Sequence, residues 1–257
     1  MEFVSDFGQL QRLMASSIAG VSRRQTIIES LNIKSGNHII DVGCGGGHLL
    51  EQLAECVGIK GCIFGLDPSE EQLKQARERC SRFKNIVFLK NSADAIDLEE
   101  NSCDAVTSTQ AYEYIDNVDD ALEEATRILK PSMVFQNISI LWDHFRFFGA
   151  EKLLNDRMHD AWRAHCAHQM LPMELPGKLE NLGYRHITNR SLAFLITKRD
   201  ANSPAKYTEQ LMASFAIGQG VSEVDAHDWQ IQLQEAEEQG RFGFTSFPVL
   251  TQAYASD

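Results

Sequence analysis

A glycine-rich segment at residues 39–50 has the residue types and the spacing of a turn that binds a nucleotide. The apolar run Ile39-Ile40 is followed by Asp41 and by three glycines in a D-x-G-x-G-x-G pattern, and a helical pattern begins at His48. A glycine has no Cβ, so its backbone can take a positive φ and approach a ligand closely. The free N–H groups at the start of the helix favour a negatively charged ligand group. The segment therefore predicts a strand, a ligand-binding turn and a helix.

The spacing of these glycines distinguishes two kinds of nucleotide site. A dinucleotide-binding fingerprint, G-x-G-x-x-G/A, would need a small residue at position 48 after Gly43 and Gly45. This chain has His48 there. An NAD(P)-dependent oxidoreductase is therefore the weaker alternative.

A second acidic residue follows the next predicted strand. The apolar run Cys62–Leu66 ends at Asp67, and Ser69 is in the position of an N-cap for the following helix. An acid at the end of a neighbouring parallel strand is positioned to accept hydrogen bonds from both hydroxyls of a ribose. We therefore expect Asp67 to bind a ligand together with the glycine turn.

Further apolar runs supply the elements that must position these residues. Strands are predicted at 86–89, 104–108 and 132–138, and a helix over 118–130 has one apolar face. Strands that alternate with helices predict a parallel sheet covered by helices on both faces. Ligands bind such sheets at the carboxyl ends of the strands, where the glycine turn and Asp67 fall.

Four landmarks in this order resemble the class I S-adenosylmethionine (SAM) dependent methyltransferases. They are the glycine turn, Asp67, the polar loop at 91–94 and the end of the fourth strand at 104–110, and together they span roughly residues 20–140. The chain is similar to the small-molecule branch that includes quinone-biosynthesis C-methyltransferases and glycine/sarcosine N-methyltransferases. The resemblance implies an α/β fold with a Rossmann-like, seven-stranded, mostly parallel sheet, helices on both faces, an antiparallel last strand and helical cap or lid insertions.

The resemblance also implies SAM as the cofactor. The glycine turn would bind its methionine part, Asp67 its ribose and the 91–94 loop its adenine, with both Ser92 and Asp94 open as the residue that faces the ring. Arg23 or Arg24 is a candidate to reach the methionine carboxylate by a charge-assisted hydrogen bond. The full set of implied cofactor-binding residues is Asp41, Gly43, Cys44, Gly45, Gly47, Asp67, Pro68, Gln72, Ser92, Ala93, Asp94, Thr109 and Gln110.

The expected organisation is a single methyltransferase domain over residues 1–257. Within it we expect an N-terminal helical cap at 1–34, a SAM-binding core at 35–140, a cap insertion rich in aromatic residues and histidines at 141–176, and C-terminal strands at 177–257 with a helical lid near 200–240. In the second half, a helix is predicted to begin at Pro176 and strands are predicted at 191–197 and 242–251.

The acceptor side is marked less clearly than the cofactor side. A methyltransferase mainly aligns its reactants, and it needs a general base only if the acceptor is protonated. The candidates for that base are Tyr112, Glu113, Tyr114 and His144. Residues 91–126 hold eleven acids and no Lys or Arg, so a pocket that includes Glu113 would favour a cationic or amine acceptor.

The leading hypothesis is N- or O-methylation of a small, partly aromatic metabolite, and C-methylation stays open. A SAM-binding regulatory or scaffold protein without transfer activity is the alternative from another class.

Composition restricts the remaining functions. The formal net charge is −12 with no basic cluster, which disfavours nucleic acid as a substrate. Six cysteines without a C-x-x-C pair indicate reduced core residues, a cytoplasmic protein and no metal site. His165 and His168 alone are too few ligands for a zinc site. No signal peptide, spanning segment or stable membrane anchor is predicted. A monomer and a homodimer both stay open.

Overall fold

The computed structural model describes residues 15–200 and 203–257, and its first half alternates strands with helices. In chain order these elements are α1 (Ile18–Ser30), β1 (His38–Val42), α2 (His48–Val57), β2 (Cys62–Leu66), α3 (Glu70–Arg79), β3 (Ile86–Leu89), β4 (Cys103–Thr109), α4 (Val118–Ile128) and β5 (Leu129–Ile140). The second half contains β6 (Arg146–Phe148), α5 (Lys152–Trp162), α6 (Leu171–Asn181), β7 (Arg185–Ser191), β8 (Phe194–Ile196), α7 (Pro204–Gly218), α8 (Glu223–Glu238), β9 (Gly243–Ser246) and β10 (Pro248–Tyr254).

The main sheet has seven strands in the order β3-β2-β1-β4-β5-β10-β7. Strands β1 to β5 pair in parallel, and β10 runs antiparallel to both of its neighbours, β5 and β7. The predicted fold class, a mostly parallel Rossmann-like sheet with an antiparallel last strand, is confirmed. The carboxyl ends of β1, β2 and β4 therefore lie side by side and bring the predicted landmarks to one edge of the sheet.

Helices cover both faces of this sheet because each has one apolar stripe. Helices α1, α2 and α3 pack on one face, where Ile27, Leu53 and Leu73 are buried. Helices α4 and α6 cover the other face, where Leu122 and Leu175 are buried. Helix α4 ends at Ile128, before the predicted residue 130, because the chain turns directly into β5 at Leu129.

A second unit, which we call the cap, consists of α5, α7 and α8 packed on a three-stranded sheet in the order β6-β9-β8. Its centre is Trp229, whose ring lies 5.2 Å from that of Phe147 and whose indole N–H donates to Asn155 at 2.8 Å. The predicted aromatic insertion and the predicted lid near 200–240 thus share one apolar core.

Three boundaries predicted for the second half were wrong. Helix α6 begins at Leu171 and includes Pro176, because burial of Leu171, Leu175 and Leu179 outweighs the missing proline N–H. The predicted strand 191–197 contains β8, which belongs to the cap, and the sixth strand of the main sheet is Arg185–Ser191. Most side chains of that strand are exposed and polar, so it carries no apolar run. The predicted strand 242–251 is two strands in different sheets, divided at Phe247.

The predicted N-terminal cap falls partly outside the described residues, which begin at 15. Its visible part is α1, which starts after the N-cap Ser17 and buries Ile27. Across residues 15–200 and 203–257, no helix combines the length and the apolar character that a membrane crossing requires.

Candidate functional site

The glycine turn connects β1 to α2 and is held by the neighbouring strand. The N–H groups of Gly43 and Cys44 both donate to the carbonyl oxygen of Leu66, at 2.8 and 2.9 Å. Gly43 has a φ of +73°, and a Cβ placed on it would lie 2.3 Å from the Cβ of Ala111, which follows β4. A side chain at position 43 would therefore push apart two loops at the edge of the sheet.

Asp67 holds the turn from the end of β2. One carboxylate oxygen accepts from the N–H of Gly45 and the other from the N–H of Ser69, both at 2.9 Å. Burial raises the pKa of Asp67, and the two backbone N–H donors partly oppose that rise. A carboxylate oxygen accepts more than one hydrogen bond, so both oxygens keep the capacity to bind a ligand.

Asp41 lies in β1, two residues before Gly43, and it is not among the residues that hold the turn, which are Leu66 and Asp67. Asp41 is buried, its Oδ1 atom has no hydrogen-bond partner, and burial followed by repulsion from Asp67 raises its pKa to about 8. It is a buried acceptor that is left without a donor.

A basic cluster lies beside the start of α2. Arg79 Nε donates to the carbonyl of Gly46 at 2.8 Å. Burial, followed by the charges of Arg79 and Arg24, lowers the pKa of His48 to about 4. Arg79 was not predicted from the sequence, although it lies on the face of α3 that carries Gln72 and Ala76 towards the turn, so helical spacing could have identified it.

The two arginines of α1 lie near different groups: Arg24 near His48 and Arg79, and Arg23 at the loop after β4. Arg23 donates from Nη1 to the side-chain oxygen of Gln110, which follows β4 with a φ of +54°. Burial lowers the pKa of Arg23 to about 10, although Glu113 and Tyr114 oppose the shift. Helix α1 is thus fastened over the edge of the sheet at the loop after β4.

The other predicted cofactor residues differ in how deeply they are buried. Gln72 is buried with its Oε1 3.7 Å from the Cβ position of Gly45, whereas Pro68 is exposed. In the 91–94 loop, Ala93 is buried and both Ser92 and Asp94 are exposed. At the end of β4, the buried Thr109 Oγ1 has no hydrogen-bond partner.

Glu113 is the carboxylate that faces inward from the loop after β4. It is fully buried and accepts from the N–H of Ile140 at 3.4 Å, while its Oε2 atom has no partner. Burial raises its pKa to about 7, and hydrogen bonding to Ser139, Ile140 and Trp142 and the positive charge of Arg23 oppose the rise. Glu113 is therefore a group that exchanges a proton near neutral pH.

The other three candidate bases lie in different environments. Tyr114 is 39% exposed, yet desolvation and then Glu113 raise its pKa, as expected for a ring that lines a cleft. Tyr112 is buried in the core under α4 and α6, with its ring 5.7 Å from Phe135. His144 is exposed, and its ring lies 6.0 Å from that of Phe247. The structure brings Tyr114 to Glu113 and places Tyr112 and His144 elsewhere.

Aromatic residues of the 141–170 segment border Glu113 from the other side. The backbone N–H of His168 donates to the carbonyl oxygen of Glu113 at 3.0 Å, and the backbone N–H of Trp142 donates to the carbonyl oxygen of Gln169 at 2.9 Å. These bonds fix the segment against the loop after β4. Within the described ranges, no group of three or more His, Cys, Asp and Glu side chains is arranged to hold a metal ion.

Comparisons with known proteins agree with this architecture. A family model described as a methyltransferase domain matches residues 33–185. Demethylmenaquinone methyltransferase from Staphylococcus epidermidis is 32% identical over 108 residues, which are 42% of this chain and 45% of that protein. The chain thus spans less than half the length of the curated relatives it matches.

Two solved structures illustrate the likeness of the fold. The YcgJ protein of Bacillus subtilis has a TM-score of 0.66 at 16% identity, over 92% of this chain and 99% of that one. Phosphoethanolamine N-methyltransferase 2 of Haemonchus contortus, solved in complex with S-adenosyl-L-methionine, has a TM-score of 0.65 at 17% identity, over 99% of this chain and 58% of that one. Since the domain model covers more than half of the sequence, the chain belongs to the methyltransferase domain family, and its resemblance to the class I SAM-dependent methyltransferases is confirmed.

Proposed function

We propose that this chain is a SAM-dependent methyltransferase that transfers a methyl group in line to a nitrogen or an oxygen of a small-molecule acceptor. The observation that carries the proposal is the buried carboxyl group of Glu113, with one oxygen unpartnered, in the loop after β4. A nitrogen or oxygen nucleophile that carries a proton needs a group to receive it, and a carboxyl with a pKa of about 7 suits that task.

The residues at the edge of the sheet fit SAM. When bound, SAM supplies a methyl group on a sulfonium that is ready for transfer. Asp67 would accept the two ribose hydroxyls, and the unpartnered Oδ1 of Asp41 would accept from the amino group of the methionine part. Arg24 and Arg79, which lower the pKa of His48 by their charge, would attract the carboxylate.

The adenine and acceptor ends follow from the same placement. Ala93 would lie against the adenine, with Ser92 or Asp94 as its polar partner. Glu113 would hold the acceptor and take its proton, and Tyr114 would line the route to it. Two earlier candidates have weaker roles in this proposal: Tyr112 supports the loop from the core, and His144 lies at the exposed rim.

The contribution of the protein to the rate is mainly alignment and the exclusion of water. Helix α1, fastened by Arg23 to Gln110, would close over the cofactor, and the aromatic segment of the cap would close the acceptor side. Holding nucleophile, methyl carbon and sulfur in line can supply about 7–11 kcal/mol of the barrier. C-methylation is a second candidate, because demethylmenaquinone methyltransferases are among the relatives matched.

Transfer of isotope tests the proposal directly. The protein is incubated with methyl-labelled SAM and a metabolite extract, and we expect the label in a small molecule whose mass identifies the acceptor. Asp67→Asn should weaken SAM binding roughly tenfold to a hundredfold, since it alters charge-assisted hydrogen bonds of about 1.5–3 kcal/mol. Asp97→Asn, which changes an exposed acid between β3 and β4, is the control and should bind SAM normally.

The alternatives predict different outcomes. SAM binding without transfer of label to any molecule would favour a regulatory or scaffold role. Binding of NAD(P)H but not of SAM in titration calorimetry would refute the methyltransferase assignment. Unchanged SAM affinity of Asp67→Asn would refute the role of Asp67 alone.

A further inference from the structure

Two histidines of the cap differ in one hydrogen bond. His159 has Nδ1 2.7 Å from the carbonyl of Asn155, and its Nε2 accepts from the N–H of Phe147 at 3.0 Å. His165 has Nδ1 2.6 Å from the carbonyl of Trp162, but its buried Nε2 has no partner. A carbonyl only accepts, so Nδ1 carries the proton in both rings and Nε2 is the acceptor. His159 is a satisfied structural histidine, and His165 is not.

The unpartnered nitrogen of His165 lies among aromatic rings that also lack partners for their polar atoms. Trp142 contacts it edge-on with the ring centroids 4.2 Å apart, and Trp162 stacks on it at the same distance. Both indole nitrogens are buried outside good hydrogen-bond geometry with any partner, although the N–H of Trp142 lies close enough to Glu113 to lower the pKa of that carboxyl. A buried polar group that nothing pairs with destabilises the folded state, so a cluster of such groups indicates a ligand.

This cluster lies beside Tyr114 and Glu113. The ring of Tyr114 lies 5.8 Å from that of His165 and is 39% exposed, so it connects the buried imidazole to solvent. His168 binds the backbone of Glu113 at 3.0 Å, which fixes the His165 segment against the loop after β4. Trp142 contacts the ring of His165 and also interacts with the carboxyl of Glu113, so the unpartnered Glu113 Oε2 and His165 Nε2 are two acceptors that flank the same indole.

We propose that His165 Nε2 and Glu113 Oε2 together bind the methyl acceptor, and that the acceptor is an amine carried on an apolar, ring-containing body. Two hydrogen-bond acceptors call for a group with two N–H hydrogens, whereas a hydroxyl offers one. The aromatic rings suit an apolar body, and a carboxylate or phosphate would meet the lone pairs of both residues. This inference rests on the proposed function and specifies its substrate class.

During the transfer one bond to the methyl carbon forms and one breaks. The nitrogen lone pair forms a bond to the methyl carbon while the carbon–sulfur bond breaks, and sulfur keeps the electron pair to give S-adenosylhomocysteine. The methylated nitrogen gives up its proton to the ionised carboxylate of Glu113. His165 stays neutral and holds the amine, because burial lowers its pKa to about 4.

Three small probes with one ring and different head groups test the inference: phenethylamine, 2-phenylethanol and phenylacetate. Their binding is measured on protein saturated with S-adenosylhomocysteine. We expect phenethylamine to bind most tightly and to shift the nitrogen NMR signal of His165 Nε2. His165→Phe, which keeps a ring, should weaken phenethylamine binding about tenfold without changing the affinity for S-adenosylhomocysteine.

His159→Phe is the matched control, because its Nε2 already has a backbone partner; we expect lower stability and unchanged amine affinity. If His165→Phe does not fold, two other measurements provide the test. They are phenethylamine binding to His165→Gln, which retains an acceptor, and the Nε2 NMR signal of the unaltered protein. An unmoved Nε2 signal, or phenylacetate that binds as well as phenethylamine, would overturn the inference. Loss of S-adenosylhomocysteine binding in the unaltered protein would instead refute the proposed function.

Discussion

The buried carboxyl of Glu113 makes a prediction about stability that needs no acceptor. Its pKa of about 7 lies above the ordinary 4.5 because burial favours the neutral form. The folded protein therefore keeps a proton that the unfolded chain releases between about pH 4.5 and pH 7. Stability falls as pH rises through that window and stays lowered above it.

The size of the effect follows from the two pKa values. The pKa of Glu113 differs by roughly 2.5 between the folded and the unfolded state, and a difference of 1 in pKa corresponds to about 1.4 kcal/mol. Glu113 should therefore destabilise the folded state by about 3 kcal/mol at pH 8. Glu113→Gln keeps the shape and removes the charge. We expect it to be close to the unaltered protein in unfolding free energy at pH 4.5 and more stable by about 3 kcal/mol at pH 8.

Urea unfolding at several pH values measures this difference. Asp104→Asn is the control, because the pKa of Asp104 is lowered: its partial burial opposes the shift, but Lys130 and the N–H of His38 outweigh it. Stability that Asp104 contributes is lost as pH falls, so this variant should differ most from the unaltered protein at neutral pH and least in acid. A Glu113→Gln difference that does not vary between pH 4.5 and pH 8 would refute the argument for a destabilised carboxylate.

Two further predictions concern the turn and the cap. Gly43→Ala should weaken SAM binding at least tenfold in calorimetry, because its Cβ would meet Ala111 and a tenfold loss corresponds to only about 1.4 kcal/mol. Gly36 also has a positive φ but has open space around it, so Gly36→Ala should leave SAM binding unchanged. Equal affinities of the two variants would contradict the steric argument. Arg199→Leu should reduce the unfolding free energy by about 3–5 kcal/mol, because it leaves Glu209, 2% exposed, without its two 2.6 Å bonds. The exposed pair of Arg82 and Glu55 gives the comparison: Arg82→Leu should change that free energy by less than about 1 kcal/mol, and similar losses in both variants would show that burial of the pair is not the cause.

The first half of the fold was predictable because its signals are local. Apolar runs that end at Asp41 and Asp67 predicted the first strands and the edge of the sheet at which the site lies. The second half was harder because tertiary packing decides it. Strand β7 is an exposed polar strand without an apolar run, and Pro176 lies inside a helix that buries three leucines.

The site divides in the same way. The glycine turn is specified by residues close in sequence, and it folds as predicted. Arg79 and His165 reach the site only through the packing of α3 and the cap, and the acceptor at His165 is visible only as a missing hydrogen bond. The bond by which Asp67 holds the turn depends on the register of β1 and β2, which no local pattern encodes.

The cap joins the main sheet through four links, and three of them lie side by side at one edge of the cap. Leu141 leaves β5, residues 192–193 leave β7 and Phe247 enters β10, and these three strands are neighbours in the sheet. The links are also tied to one another, by Leu141 N–H to Phe247 at 3.0 Å and Leu192 N–H to Pro248 at 2.8 Å. The fourth link, residues 163–170, is bonded to the loop after β4 through the backbone N–H of His168 and the carbonyl of Glu113. A movement of the cap away from the sheet would therefore also pull on the loop that carries Glu113.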